Sequence, residues 1–299
     1  MKIYDCFQFF DEEMLLDLRL SILNKYVDKF VITEATYMHN GKSKKLNFDI
    51  KKYNKFKDKI IYIVVDKDPP NLFEIKESDR DKYDTRGQKL VLNGYKRDNY
   101  QREMAQQSLE NIDPEDWVII NDIDEIPNLK YLNLNEVKKK LIIFKQKIFY
   151  YKFNLLYPNV PWFGSRACKR KHFISPQWLR NTKYKKYPFW RFDTIFSKKK
   201  YNSIFYVNDG GWHFTNIKSA TDLQKKLLNY AHHYEFEQSG LGINDLKKKI
   251  TEKKIIYDHG VDQKEFKWGS DKTLSKIGLS EMPDFIKDNY EKYSDWLEN

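Results

Sequence analysis

The stretch Trp117-Val118-Ile119-Ile120-Asn121-Asp122-Ile123-Asp124-Glu125-Ile126-Pro127 decides how the chain is read. Four consecutive apolar residues predict a strand covered on both faces, as at the centre of a parallel sheet. The run passes directly into Asn121 and then three carboxylates, Asp122, Asp124 and Glu125, and Pro127 ends the pairing. In open α/β sheets, ligands sit at the carboxyl ends of such strands. Alternation puts Asp122 and Asp124 on one side if the extended geometry persists. Two carboxylates held together repel, and both resist ionisation unless a cation neutralises them. A hard divalent ion, Mn²⁺ or Mg²⁺, meets that need and keeps coordination sites for substrate phosphates. A solvated acidic turn is the competing reading, because Asp-x-Asp alone is common.

Working outward, three more apolar runs predict strands: Lys2 to Phe7, Phe30 to Thr33, and Ile60 to Val65. Met14 to Leu23 places Leu15, Leu18 and Ile22 at helical spacing. Pro69 to Asn93 reads as a polar, irregular excursion, and Asp98 to Leu109 as a helix. Beyond the acidic cluster the pattern is less regular. Ile142 to Phe153, Phe189 to Phe196 and Ser203 to Val207 read as strands, and Gly210-Gly211 as a turn. Ser219 to Phe236 and Pro283 to Leu297 read as helices. The alternation of strands and helices predicts the α/β class. No repeat and no linker-like tract divides the chain, so one domain spanning 1–299 is expected.

Composition narrows the function. With 299 residues, 40% of them hydrophobic, the chain has material for a core and is not a disordered segment. The 54 Lys and Arg outnumber the 43 Asp and Glu, which raises the question of a nucleic acid or an anionic membrane. The lysines are spread along the chain, however, and no helix-turn-helix, RRM or zinc-finger pattern accompanies them. No nucleic-acid partner is expected. Cys6 and Cys168 stand far apart and form no CxxC pair, so neither a disulfide framework nor a structural zinc is expected. No apolar run nears the ~20 residues that span a bilayer, and Met1 to Asp5 lacks a signal-peptide core. The expectation is a cytoplasmic protein (host cytoplasm if viral), with peripheral membrane contact as its one route to a bilayer.

A family resemblance rests on several stretches in order. Asp122-Ile-Asp-Glu-Ile-Pro127, after Asp116-Trp-Val-Ile-Ile120, resembles the acidic segment of family 17 glycosyltransferases, which include the β-1,4-mannosyl-glycoprotein β-1,4-N-acetylglucosaminyltransferases. Phe7-Gln8-Phe9-Phe10-Asp11-Glu12 is similar to the family's opening strand and loop. Val31-Ile32-Thr33-Glu34 with Gly41-Lys42-Ser43-Lys44 is similar to its second strand and following loop. Arg97 and Gln101-Arg102 match its basic helix, Gly210-Gly211-Trp212-His213-Phe214 its Gly-Trp-His signature, and His233-Tyr-Glu235 a downstream His-x-Glu.

The resemblance implies a GT-A-type fold, a Rossmann-like mixed β-sheet flanked by helices in a single domain. Residues 1–127 would form the nucleotide-sugar-binding half, and 128–299 the acceptor-binding half with C-terminal helices. It implies an inverting, metal-assisted transfer, with UDP-N-acetylglucosamine as the expected donor and a glycan hydroxyl as acceptor. The animal enzymes' N-terminal membrane anchor has no counterpart here, so a soluble bacterial or viral enzyme is expected.

Each role has a structural competitor. Asp124 is the first choice for metal ligand, with Asp122 on the metal or the donor ribose and His213 completing the coordination. Glu34 would accept from the donor base or ribose, against an exposed loop carboxylate. Asp66, at the end of the third run, reads as surface. Arg102, with Arg97, would meet the diphosphate by forked hydrogen bonds, although arginines on helices commonly serve as surface charges. Trp212 would stack on a sugar face or fill the core, and Trp162 and Trp190 have weaker claims. Glu125 and Glu235 are the candidates for general base; their competitors are a loop-holding carboxylate and a helix-end charge. Two other functions stay open on the residues alone: a metal-dependent phosphohydrolase, and a non-catalytic carbohydrate- or nucleic-acid-binding module.

Overall fold

A computed structural model describes residues 1–79, 85–188, 190–258, 268 and 271–298. The strands are β1 (Ile3–Gln8), β2 (Lys29–Ala35), β3 (Ile60–Val65), β4 (Trp117–Ile120), β5 (Glu125–Pro127), β6 (Leu141–Phe144), β7 (Gln146–Tyr150), β8 (Leu155–Trp162), β9 (Arg166–Lys169), β10 (Ile204–Val207), β11 (Gly211–Thr215) and β12 (Ser275–Lys276). Seven of them form one sheet in the order β10-β6-β9-β4-β1-β2-β3, and five form a second in the order β12-β8-β7-β11-β5. In the first sheet β1 to β4 run parallel, whereas β9 lies antiparallel between β4 and β6. The fold is mixed α/β.

Period-two alternation covers the first sheet on both faces. Phe7, Trp117 and Ile119 enter one core with the leucines of α1 (Glu13–Leu23) and with Phe149 and Phe214 of the second sheet. Cys6, Val118 and Ile120 enter another on the opposite face, with Trp178 and Leu179 of α3 (Pro176–Asn181). Strand order reverses between β1 and β4, since β2 and β3 continue on one side of β1 and β4 lies on the other. Their carboxyl ends therefore border a crevice at the switch point of the sheet. The acidic cluster stands at its rim.

Several boundaries differ from the sequence reading. Helix α2 runs Thr85–Glu103, so the expected irregular stretch to Asn93 is helical from Thr85. Gly87 and Gly94 weaken its pattern, and Gly94 is there for contact: a Cβ would lie 2.8 Å from the Ala231 carbonyl. Beyond Glu103 the chain tightens to a 3₁₀ turn at Met104–Ser108. Ile142 to Phe153 divides between the two sheets, with β6 in one and β7 in the other. Of the strand expected over Phe189 to Phe196, Phe189 lies outside the described residues, and Asp193–Phe196 is a helical turn, α4. The helix expected from Ser219 to Phe236 breaks at 228–232 into α5 (Ala220–Leu227) and α6 (His233–Gln238), where Asn40 donates to the Leu228 carbonyl and the Asn229 side chain. After α7 (Ile243–Thr251), the closing helix is three short turns, among them α8 (Asp284–Asp288) and α9 (Tyr290–Tyr293). Among the described residues no helix is long and apolar enough to cross a membrane.

Candidate active site

The turn that carries the acidic cluster is held from beneath by buried charge. Asp5 on β1 accepts from Arg19 on α1 at 2.8 and 2.6 Å and from the Asn121 amide at 2.6 Å. The remaining Arg19 nitrogen donates to the carbonyls of Asp122, Ile123 and Glu125 at 3.2, 3.3 and 2.7 Å. Arg19 and Asp5 are both fully buried. One guanidinium thus satisfies three carbonyls that leave the sheet ladder, which a buried backbone requires.

Glu125 closes the turn from above and has no exposed surface. Its carboxylate accepts from the Asp122 backbone N–H at 3.0 Å, from Trp162 Nε1 at 2.5 Å, and from both terminal nitrogens of Arg180 at 2.6 and 2.8 Å. Gly164 makes room for this arrangement: a Cβ there would stand 2.0 Å from Glu125 Oε1. Glu125 is therefore a positioning residue for the loop, and its base role has no free oxygen to act through.

The two aspartates line one cavity of about 900 Å³ but face different partners. Asp122 accepts from Arg102 at 3.0 Å and from Arg180 at 2.6 Å. Burial opposes its ionisation, but Arg180 and Arg102 outweigh it and hold the carboxyl well below the usual carboxylate range. Asp124 lies 3.5 Å from His213 Nε2 and 3.9 Å from Lys226 Nζ. Burial again opposes, and His213 and Lys226 again prevail, so this carboxyl is also shifted down. The antiparallel pairing of β5 with β11 sets His213 opposite Glu125. Trp162 stacks on His213 at 4.6 Å, so the imidazole lies behind the cavity wall and meets Asp124 from its side.

Arginines complete the cluster. Arg102 also donates to Gln177 at 2.6 Å and to Asp98 at 3.2 Å, and the nearby carboxylates keep it firmly protonated against burial. Arg180, on the last turn of α3, is likewise held protonated by Asp122 and Glu125 against its burial. Arg166, at the start of β9, is 9% exposed and lines the same cavity. Its side chain makes no hydrogen bond or ion pair with any described residue, and its Nε is buried without a partner. Burial and the charge of Arg180 push its pKa down to about 9.

The other expected site residues lie elsewhere. Glu34 is fully buried away from the cavity; it accepts from Lys44, from the backbone of Asn47 at 2.7 Å and Phe48 at 3.0 Å, and from Tyr62 at 2.9 Å. It fastens the loop after β2, and no oxygen is left for a donor base or ribose. Arg97 pairs with Asp68 at 2.8 Å outside the cavity. Asp66 is exposed, as expected. Glu235 stands behind the wall: it meets His232 Nδ1 at 2.8 Å, and His232 Nε2 meets the Tyr95 hydroxyl at 2.8 Å. Trp212 donates to the Glu281 carbonyl at 2.9 Å and packs on the core, outside the cavity lining. Trp190 is exposed outside the cavity, whereas Trp162 lines it.

Compared with models of known families, residues 1–297 match the one described as Glycosyltransferase family 17. The chain belongs to glycosyltransferase family 17. As a family 17 enzyme it is a transferase with a glycosyl donor and an acceptor. None of the curated proteins compared with it matches. Sequence reasoning missed Arg166, Arg180 and Lys226, which contribute most of the positive charge at this family member's acidic turn. For Arg180 a signal existed: Ser175-Pro176 is a helix start, which puts an arginine in the helix's last turn.

Proposed function

We propose that the chain moves a sugar from a nucleotide-diphosphate donor, UDP-N-acetylglucosamine being the first candidate, to a glycan hydroxyl with inversion. Arg166 carries this reading. A buried guanidinium without a protein partner is costly unless a ligand supplies the counter-charge. Arg102 and Arg180 stand beside it but are engaged by Asp98, Asp122 and Glu125, so Arg166 is the guanidinium left to meet an anionic group such as a diphosphate. The cavity is also large enough for a nucleotide-sugar.

Asp124 lines the cavity and is the carboxylate a divalent ion would take there, with His213 3.5 Å away meeting it from behind the wall. Among the described residues no group of three or more His, Cys, Asp or Glu is placed to hold a metal. Such an ion would therefore fill its shell with phosphate oxygens and water, as Mg²⁺ commonly does. Bound there, it would neutralise the departing diphosphate. Asp122 keeps Arg102 and Arg180 aimed at that group, and Glu125 holds the turn in place.

The test is product formation from UDP-N-acetylglucosamine and a glycan panel, with and without Mn²⁺, by wild type and Asp124→Asn. Wild type should form product with Mn²⁺, and the variant should lose about 100-fold or more of it with its melting temperature nearly unchanged. Near-normal turnover in the variant would refute the proposal. Release of inorganic phosphate without transfer would indicate a phosphohydrolase instead.

A further inference from the structure

A second groove of about 530 Å³ opens beside the donor cavity and shares Phe163 and Tyr184 with it. Those two rings are stacked at 4.5 Å and 6° and form the wall between the two spaces. Lys145, Lys185 and Lys186 line the groove, and none pairs with an acidic side chain among the described residues. Asp209, the nearest acid in sequence to the groove's floor, instead accepts from Asn128 at 3.1 Å. Lys186 lies over the Tyr206 ring at 5.2 Å, and the Tyr206 hydroxyl fixes the loop by donating to the Tyr184 carbonyl at 2.7 Å. Positions 182–207 hold seven Lys or Arg against one acid, Asp193, so the loop carries a net positive charge. The donor cavity differs: there Asp122 and Glu125 pair with Arg102 and Arg180, and Asp124 stands beside Lys226.

The geometry points to this groove as the acceptor site, and to an acceptor that is an acidic saccharide. The inference rests on the glycosyl-transfer reading and names its second substrate. The hydroxyl to be glycosylated enters the donor cavity past Phe163 and Tyr184. A neighbouring sugar lies outside, its carboxylate, phosphate or sulfate among the three lysines. Lysine suits this role because its compact ammonium meets an anion without a fixed fork geometry. Aromatic rings and a few placed polar groups are the usual lining of such sites.

Direct binding tests the assignment apart from catalysis. Oligosaccharides bearing a carboxylate, a phosphate or a sulfate are titrated against wild type and the Lys185→Ala/Lys186→Ala variant, each beside its uncharged parent. UDP affinity is measured in both proteins. At least one charged sugar should bind wild type about tenfold or more tightly than its parent. The double variant should erase that preference and weaken it little toward UDP. Equal affinity for charged and uncharged sugars across the panel overturns the proposal, as does a parallel loss of UDP binding. Lysine-dependent binding to phosphatidylserine vesicles without any preference among the sugars also overturns it, and assigns the lysines to a lipid surface. Failure of wild type to bind UDP while the sugar preference persists refutes the donor reading alone.

Discussion

Beneath the acidic turn, Asp5 and Arg19 neutralise each other completely; across the cavity, Arg166 is almost as buried and meets no protein partner. Both places carry guanidinium charge out of water, and both border residues 121–125. The difference lies in what each charge does. Arg19 distributes its nitrogens over one carboxylate and three carbonyls, so its charge sets a shape. Arg166 is held in place by its strand and left open, and on the proposed function its charge is met by the donor's anion. On that reading a paired buried charge marks scaffold, and an unpaired one marks the ligand's place.

The largest effect should come from breaking the paired side. Arg19→Met keeps much of the volume but strands Asp5 and releases the three turn carbonyls. Equilibrium unfolding in urea should show a loss of about 3–5 kcal/mol. A loss under about 1 kcal/mol would mean that the turn holds its form without this pair.

A smaller effect concerns acid. The folded-state pKa values of Asp122 and Asp124 lie below their ordinary range. Their stabilising contribution is therefore present above the unfolded value, about pH 4, and is lost as the pH falls through the folded values. Asp122→Asn should flatten the fall of melting temperature on the acid side and leave the curve near neutrality with the same shape. An unchanged acid limb would show that Arg102 and Arg180 do not stabilise this carboxylate.

The sequence was legible where one local pattern settles the matter. Ile60–Val65 and Trp117–Ile120 are strands with the bounds their apolar runs predicted; Trp117–Ile120 is buried throughout as such a run implies, whereas Ile60–Val65 is the edge strand, half-buried with Val64 exposed. Asp122 and Asp124 could be assigned to a cavity because they follow a buried strand directly. Glu34 follows one too, and from sequence the two cases look alike. Only long-range contacts with Lys44, Asn47, Phe48 and Tyr62 reveal that its carboxylate is fully occupied. Arg166 and Arg180 escaped notice for a different reason: Lys169, Arg170 and Lys171 lie between them, in a chain with 54 Lys and Arg. In that background no spacing distinguishes a buried guanidinium from a solvated one. The break at 228–232 was equally hidden, since Asn40 that anchors it lies 188 residues away from Leu228.

Arg166→Met tests directly whether Arg166 is a buried charge without a protein counter-ion. Calorimetric titration with UDP and urea unfolding of the free protein are run on the same samples. The variant should be as stable as wild type or more so, because an uncompensated buried charge is gone, and its UDP affinity should fall about 30-fold or more. A destabilised variant that binds UDP as wild type does would contradict the account.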